Sequence, residues 1–241
     1  MTAYRPALAM LIVFAFALSI IPAQADSACC ICPKKAGHMV ERYRPVIVQE
    51  DDIPAKPEAM LFRVATDEEC ATLKLAYHVV WPYEEDPRTG FWPAVTRATY
   101  TGGLKLQKLI YGPGDTEVIE IHVDIETGDI KRVRYETAEY DKKGNVVHVE
   151  VIKEGAEAPE GPTLAFKVIS WNHLFDMMDE VPDDGDGVYR FAPGPFTDEL
   201  WDRYKMTKKH ESPLRRDRDH PDWEDGEICR PPESPCGCRN K

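Results

Sequence analysis

"EVIEIHVDIETGDIKRVRYETAEYDKKGNVVHVEVIKE", residues 117–154, decides the fold class. Apolar and polar residues alternate through most of it, the period of a half-buried strand. Two turn signals interrupt the alternation. Gly128 lies in "DIETGDI", and Gly144 with Asn145 lies in "YDKKGNVV"; these residues accept positive φ. The stretch predicts three consecutive antiparallel strands. Outward from it, "LAYHVVW" (75–81) reads as a strand ended by Pro82, and "AVTRATYTGGLKLQKLIY" (94–111) as one or two more. "PTLAFKVISW" (162–171) is more continuously apolar and predicts a central strand buried on both faces. Thr66 and Glu69 have capping-box spacing for a short helix from Asp67. Thr197 is placed to cap a second, "TDELWDRYKM". The expectation is a mainly β antiparallel sandwich with one or two short helices; the competing reading is an α+β domain with helices on one side of a single sheet.

The ends of the chain differ from this body. Arg5, the apolar run Leu8–Ile21 and "PAQA" ending at Ala25 form a secretory leader. The run is short of the ~20 residues a membrane span needs, and no later stretch is longer and as apolar. The mature chain is expected to be secreted or periplasmic, with no transmembrane segment. Residues 26–60 read as a Cys/Pro-containing arm with "PVIV" as a short strand. Residues 61–209 read as the sandwich, and 210–241 as a charged, Cys/Pro-rich tail.

All seven cysteines follow the leader. Cys29, Cys30 and Cys32 open the mature chain, Cys229, Cys236 and Cys238 close it, and Cys70 stands alone. Export makes disulfides between and within the two clusters the expected chemistry. "CCIC" and "CGC" lack the C-x-x-C spacing of common zinc sites. The net charge of −12 becomes one unit more negative when Arg5 is removed with the leader. Such an acidic protein is repelled by nucleic acid and anionic lipid, which leaves a neutral surface, a glycan or a small molecule as expected partners.

Candidate site residues come from strand parity. Ile119, Ile121, Val123 and Ile125 form one face of the first meander strand; Glu120, His122 and Asp124 form the other. The polar set reads as a solvated face, with Arg132 and Arg134 as cross-strand partners, and His148 and Glu150 on the third strand read likewise. Asp115 and Glu117 share the apolar parity. Either the strand begins at Asp115 and carries two carboxylates onto a core-facing surface, or it begins at Val118 and "YGPGDT" is a wet loop. In the first case the acids need a cation or several donors. Calcium, magnesium or manganese suits their hard oxygens, and zinc suits them less. His173, closing the apolar strand in "ISWNHLF", is the expected third ligand. His78 falls on either face of its strand, and "VPDDGDG" (181–187) lacks EF-hand spacing and reads as a polar turn.

The order of these features resembles the necrosis-inducing secreted proteins and the related sandwich domains of vacuolar-sorting type. The similarity runs over about residues 75–176: an aromatic strand, an acidic pair entering an apolar strand, then an apolar strand ending in His. Asp115 and Glu117 match the family's acidic pair, with Thr116 in place of Trp. His173 matches the later histidine, with Asn172 before it in place of Ser. The Gly-His-Arg-His that precedes the acids in that family is replaced here by "YGPG". The resemblance implies a β-sandwich whose acidic and histidine side chains hold a divalent cation near a surface groove, with sphingolipid head groups as ligands of some members.

No Gly-x-Ser-x-Gly elbow, His-Glu-x-x-His or phosphate-binding glycine loop is present. Three functional readings follow. The first is a secreted binding or surface-active domain assisted by a divalent cation. The second is a secreted hydrolase using Asp, Glu and His in acid–base or metal chemistry. The third is a structural extracellular protein with no small-molecule site.

Overall fold

A computed structural model of the protein describes residues 33–67, 71–84, 89, 112–142 and 144–206. The segment expected as a leader, all seven cysteines, the 94–111 segment and the tail from residue 207 lie outside these residues. In chain order the elements are α1 (Pro33–Arg42), β1 (Val46–Val48), β2 (Ala59–Thr66), β3 (Thr72–Trp81), β4 (Asp115–Asp124), β5 (Ile130–Tyr140) and β6 (Val146–Glu154). A single 3-10 turn, Gly155–Glu157, leads on to β7 (Ala165–Val168), β8 (Phe175–Met178), β9 (Val188–Tyr189), β10 (Gly194–Pro195) and α2 (Asp198–Arg203).

The fold is mainly β and built from two open sheets. One has the order β8-β7-β1-β9; the other has the order β10-β2-β3-β4-β5-β6. The meander of β4, β5 and β6 is antiparallel throughout, as the alternation predicts. Its first turn is fixed by Gly128 at φ 79° and by the Asp124 carboxylate, which accepts the N–H groups of Glu126 and Thr127 at 2.8 and 2.9 Å. Lys131 lies 2.7 Å from the same carboxylate. Its hydrogen bond, with those of the two backbone donors, holds the Asp124 carboxyl down at about 2. Gly144, at φ 76°, closes the second turn. β7 lies inside its sheet between β8 and β1, the central place its apolar run predicts. Most pairs are antiparallel; β1 with β7 and β10 with β2 are parallel.

Odd-numbered residues of β3, β4 and β5 face the smaller sheet. Leu75, Tyr77, Ile121 and Val133 pack there with Phe166 and Phe175. Tyr77 is fully buried, and its hydroxyl donates to the Val40 carbonyl at 2.8 Å; burial pushes that hydroxyl well above its ordinary range. The other face of the larger sheet carries a second layer. Ala76 packs with Phe196, Trp201 and Met206, which the β10–α2 segment supplies. Buried Arg63 lies 3.8 Å from the centre of the Trp201 ring, donates through Nε to the Phe196 carbonyl and pairs with Asp198. Thr197 caps α2 as expected, its hydroxyl accepting the Leu200 N–H at 3.3 Å.

Residues 68–70, the body of the helix expected from Asp67, lie outside the described residues; on either side of them Thr66 pairs with Leu73 across β2 and β3. Asp67 directs its carboxylate to the N–H groups of Ala71 and Thr72, the local bonding by which aspartate competes with helix formation. The segment 26–60, read as an arm, forms β1 where "PVIV" was expected as a strand, and it also supplies α1, which was not expected. Ala36, Met39 and Val40 bury one helical face, and Ile47 is fully buried in the core.

Candidate functional site

β4 begins at Asp115, so the parity argument holds from its first residue. Trp81 stands opposite Asp115 and Val79 opposite Glu117 in the antiparallel register, placing both acids on the core-facing side. Glu117 is 3% exposed. β5 pairs with β4 only over Glu120–Val123, with a register shift between His122 and Val123, so the first half of β4 leaves the meander.

The opposite sheet reaches the acids through the turn between β7 and β8. Ile169 donates to the Leu174 carbonyl at 2.9 Å, and His173 donates to the Ser170 carbonyl at 3.0 Å. Ser170 Oγ accepts the Leu174 N–H at 3.0 Å. This tight turn needs a left-handed residue, and His173 takes that place at φ 62°. Its ring is fully buried and stacks on Trp81 with centroids 4.5 Å apart and planes 6° from parallel. Nδ1 donates to Oδ2 of Asp115 at 2.8 Å, and Nε2 faces the Pro54 carbonyl oxygen at 3.3 Å. The three residues named from the sequence thus meet in space, with His173 holding Asp115 rather than offering a lone pair.

A third carboxylate completes the cluster. Glu84, just after β3, brings an oxygen to the group formed with Asp115 and Glu117, the three ligand atoms lying within 4.8 Å of one another. No pattern in "PYEED" (82–86) marks Glu84 as a site residue. The signal was available in principle: if β3 and β4 pair antiparallel, the loop after one lies at the start of the other.

The glycines before β4 bring these strands together. Gly112 has φ +90°, and a Cβ there would lie 2.7 Å from the Tyr204 backbone. At Gly114 a Cβ would lie 2.3 Å from the Trp81 carbonyl oxygen. Only a residue without Cβ lets β4 start this close to the end of β3. Gly114→Ala is therefore expected to lower stability by about 1–3 kcal/mol through forced separation of the two strand ends. Urea denaturation checks this, and a loss below a few tenths would contradict the close approach.

The remaining candidates lie elsewhere. Glu120 and His122 pair with each other on the outer face of β4, Arg134 pairs with Glu150, and Asp124 belongs to its turn. Arg132 lies 3.7 Å from Glu154. The polar face therefore forms cross-strand pairs, although Glu120 itself is 3% exposed. His148 lies between Glu136, at 2.9 Å from Nδ1, and Asn172, at 2.9 Å from Nε2, and so ties β6 to the turn that carries His173. His78 is packed edge-on against Phe196 and Trp201 behind the larger sheet. Arg190 staples the 181–187 turn through Asp184 and the Pro182 carbonyl, and Gly187 approaches Gln49 too closely for a side chain. Among the described residues no helix is long and apolar enough to cross a membrane. No protein-family model, curated protein or solved structure matches the chain.

Proposed function

We propose that the protein is an exported binding domain whose Asp115, Glu117 and Glu84 hold a divalent cation, with His173 orienting Asp115. One observation carries the reading: the core-facing parity of β4 continues into two acids, and a third acid from the end of β3 joins them. Three carboxylates at this spacing repel one another and require positive charge nearby. The donor set is all oxygen, which suits calcium, magnesium or manganese better than zinc. An ion here would supply charge and would join the end of β3 to the start of β4. It would also offer a point of attachment for oxygen atoms of a neutral surface, a glycan or a small molecule. The family resemblance, with its acidic pair and later histidine, supports the same choice of residues.

Thermal unfolding in calcium, magnesium, manganese and chelator tests the proposal. The parent protein is expected to melt higher with at least one ion than with chelator, because an ion that binds only the folded state stabilises it. Asp115→Asn combined with Glu117→Gln is expected to remove that dependence and to keep the fold. Identical midpoints for the parent in every condition would mean that the protein itself meets the charge of the cluster.

A further inference from the structure

β6 ends the six-stranded sheet and pairs with β5 in unbroken register. No described residue pairs along its other edge. Half the backbone N–H and C=O groups of such a strand face outward, ready to bind another strand. Protected edges carry a proline, a bulge, a charged side chain or a short length; β6 runs nine residues with neither proline nor glycine, and its one lysine, Lys153, lies beyond the apolar stretch 146–152. Five large apolar side chains are exposed among the described residues, and three of them, Tyr140, Val147 and Ile152, belong to the β5–β6 hairpin. Val147 and Ile152 lie on opposite faces of β6, so apolar side chains flank the open edge on both sides.

The sequence of the edge selects the partner. "VVHVEVI", residues 146–152, is self-complementary when run against itself. In an antiparallel pair centred on Val149, Val146 faces Ile152, Val147 faces Val151, His148 faces Glu150, and Val149 faces its own copy. A two-fold axis repeats each of these contacts. Shifting the centre to Glu150 sets that carboxylate against itself and His148 against Ile152. Shifting it to Val151 sets Glu150 against Ile152 and Val149 against Lys153. Only the Val149 register matches apolar with apolar and acid with base along its whole length.

We propose that β6 is a dimer edge that takes a second copy of this chain in that register, joining two six-stranded sheets into one. Val151 already packs against the core, so the partner's Val147 would extend the apolar layer across the axis. His148 and Glu150 lie on the opposite face, where Glu136 and Arg134 hold them within their own chain. Asn172 also holds Nε2 of His148 at 2.9 Å, so the cross-axis pair forms by exchange of that contact for the partner's Glu150.

Sedimentation of the full exported chain over a range of concentrations tests this. The parent is expected to dimerise. Val147→Lys is expected to raise the dimer dissociation constant at least about tenfold, because an edge lysine blocks strand addition. Its thermal midpoint under dilute, monomeric conditions is expected to stay unchanged, since Val147 is 43% exposed. Two further variants test the register. Glu150→Lys removes the acid that faces His148, and His148→Glu sets two carboxylates face to face; each is expected to be monomeric alone. Mixed one to one, they restore acid against base at both positions and are expected to associate. A parent that stays monomeric at every concentration overturns the proposal. So does a dimer that Val147→Lys leaves intact, and so does a mixture that associates no better than its separate components.

Discussion

Replacing His173 with alanine is expected to destabilise the protein by roughly 3–5 kcal/mol, the range for emptying the site of a large buried ring. The ring is fully buried, donates to a carboxylate and stacks on an indole, and all three interactions go at once. Asp115 then keeps its burial and loses a donor. The backbone separates this effect from a simple cavity. His173 has φ 62°, where alanine is strained and glycine is not. His173→Gly is therefore expected to be less damaging than His173→Ala by about 1 kcal/mol, the reverse of the usual order of these two residues. Urea unfolding of both variants measures the pair. If glycine is the worse substitution, the left-handed turn is not what holds the ring in place.

Phe166→Ala is expected to cost about 3–5 kcal/mol, the usual loss for a large aromatic in a packed core. Phe166 is fully buried, and its ring centroid lies 5.3 Å from that of Tyr135 in the other sheet and 6.1 Å from that of Phe175 in its own. The residue therefore joins both sheets, and its loss is expected to lower a single cooperative transition rather than melt the smaller sheet alone. Tyr140→Ala serves as the contrast. That side chain is 59% exposed at the hairpin end, and its removal is expected to stay within about 0.5 kcal/mol. A Phe166→Ala effect no larger than the Tyr140→Ala effect would mean that the sheets do not share a core.

Where side-chain period and turn chemistry are local, they could be read directly. Residues 117–154 alternate, carry glycine at both turns, and form β4 to β6 as expected. The cap at Thr197 and the central place of β7 are legible for the same reason. Asp115 and Glu117 were legible as a question of where the strand starts. The answer lay in Gly114, whose close approach to Trp81 is a contact between strands and leaves no periodic mark. Glu84 was hidden because a loop residue joins a site through the pairing of its flanking strands. His173 was visible as a histidine at the end of an apolar strand, but its dependence on a left-handed turn was not. α1 escaped notice because Ala36, Met39 and Val40 are a sparse apolar face among lysines and glycine. At Asp67, capping-box spacing was present, but the aspartate bonds its own turn instead.

The parallel pairing of β1 with β7 sets an order of assembly. Val46 pairs with Ala165 and Val48 with Lys167, so everything between them in the chain must be in place before the smaller sheet can form. The meander has no such requirement, since each of its strands meets its neighbour across a short turn. Contacts distant in sequence carry a larger loop-closure cost and form late. During synthesis from the N-terminus, α1 and β1 emerge first and wait for β7. Until Ala165 and its neighbours arrive, Met39, Val40 and Ile47 are apolar groups without their final cover, exposed to chaperones and proteases while β2 to β6 are already able to pair.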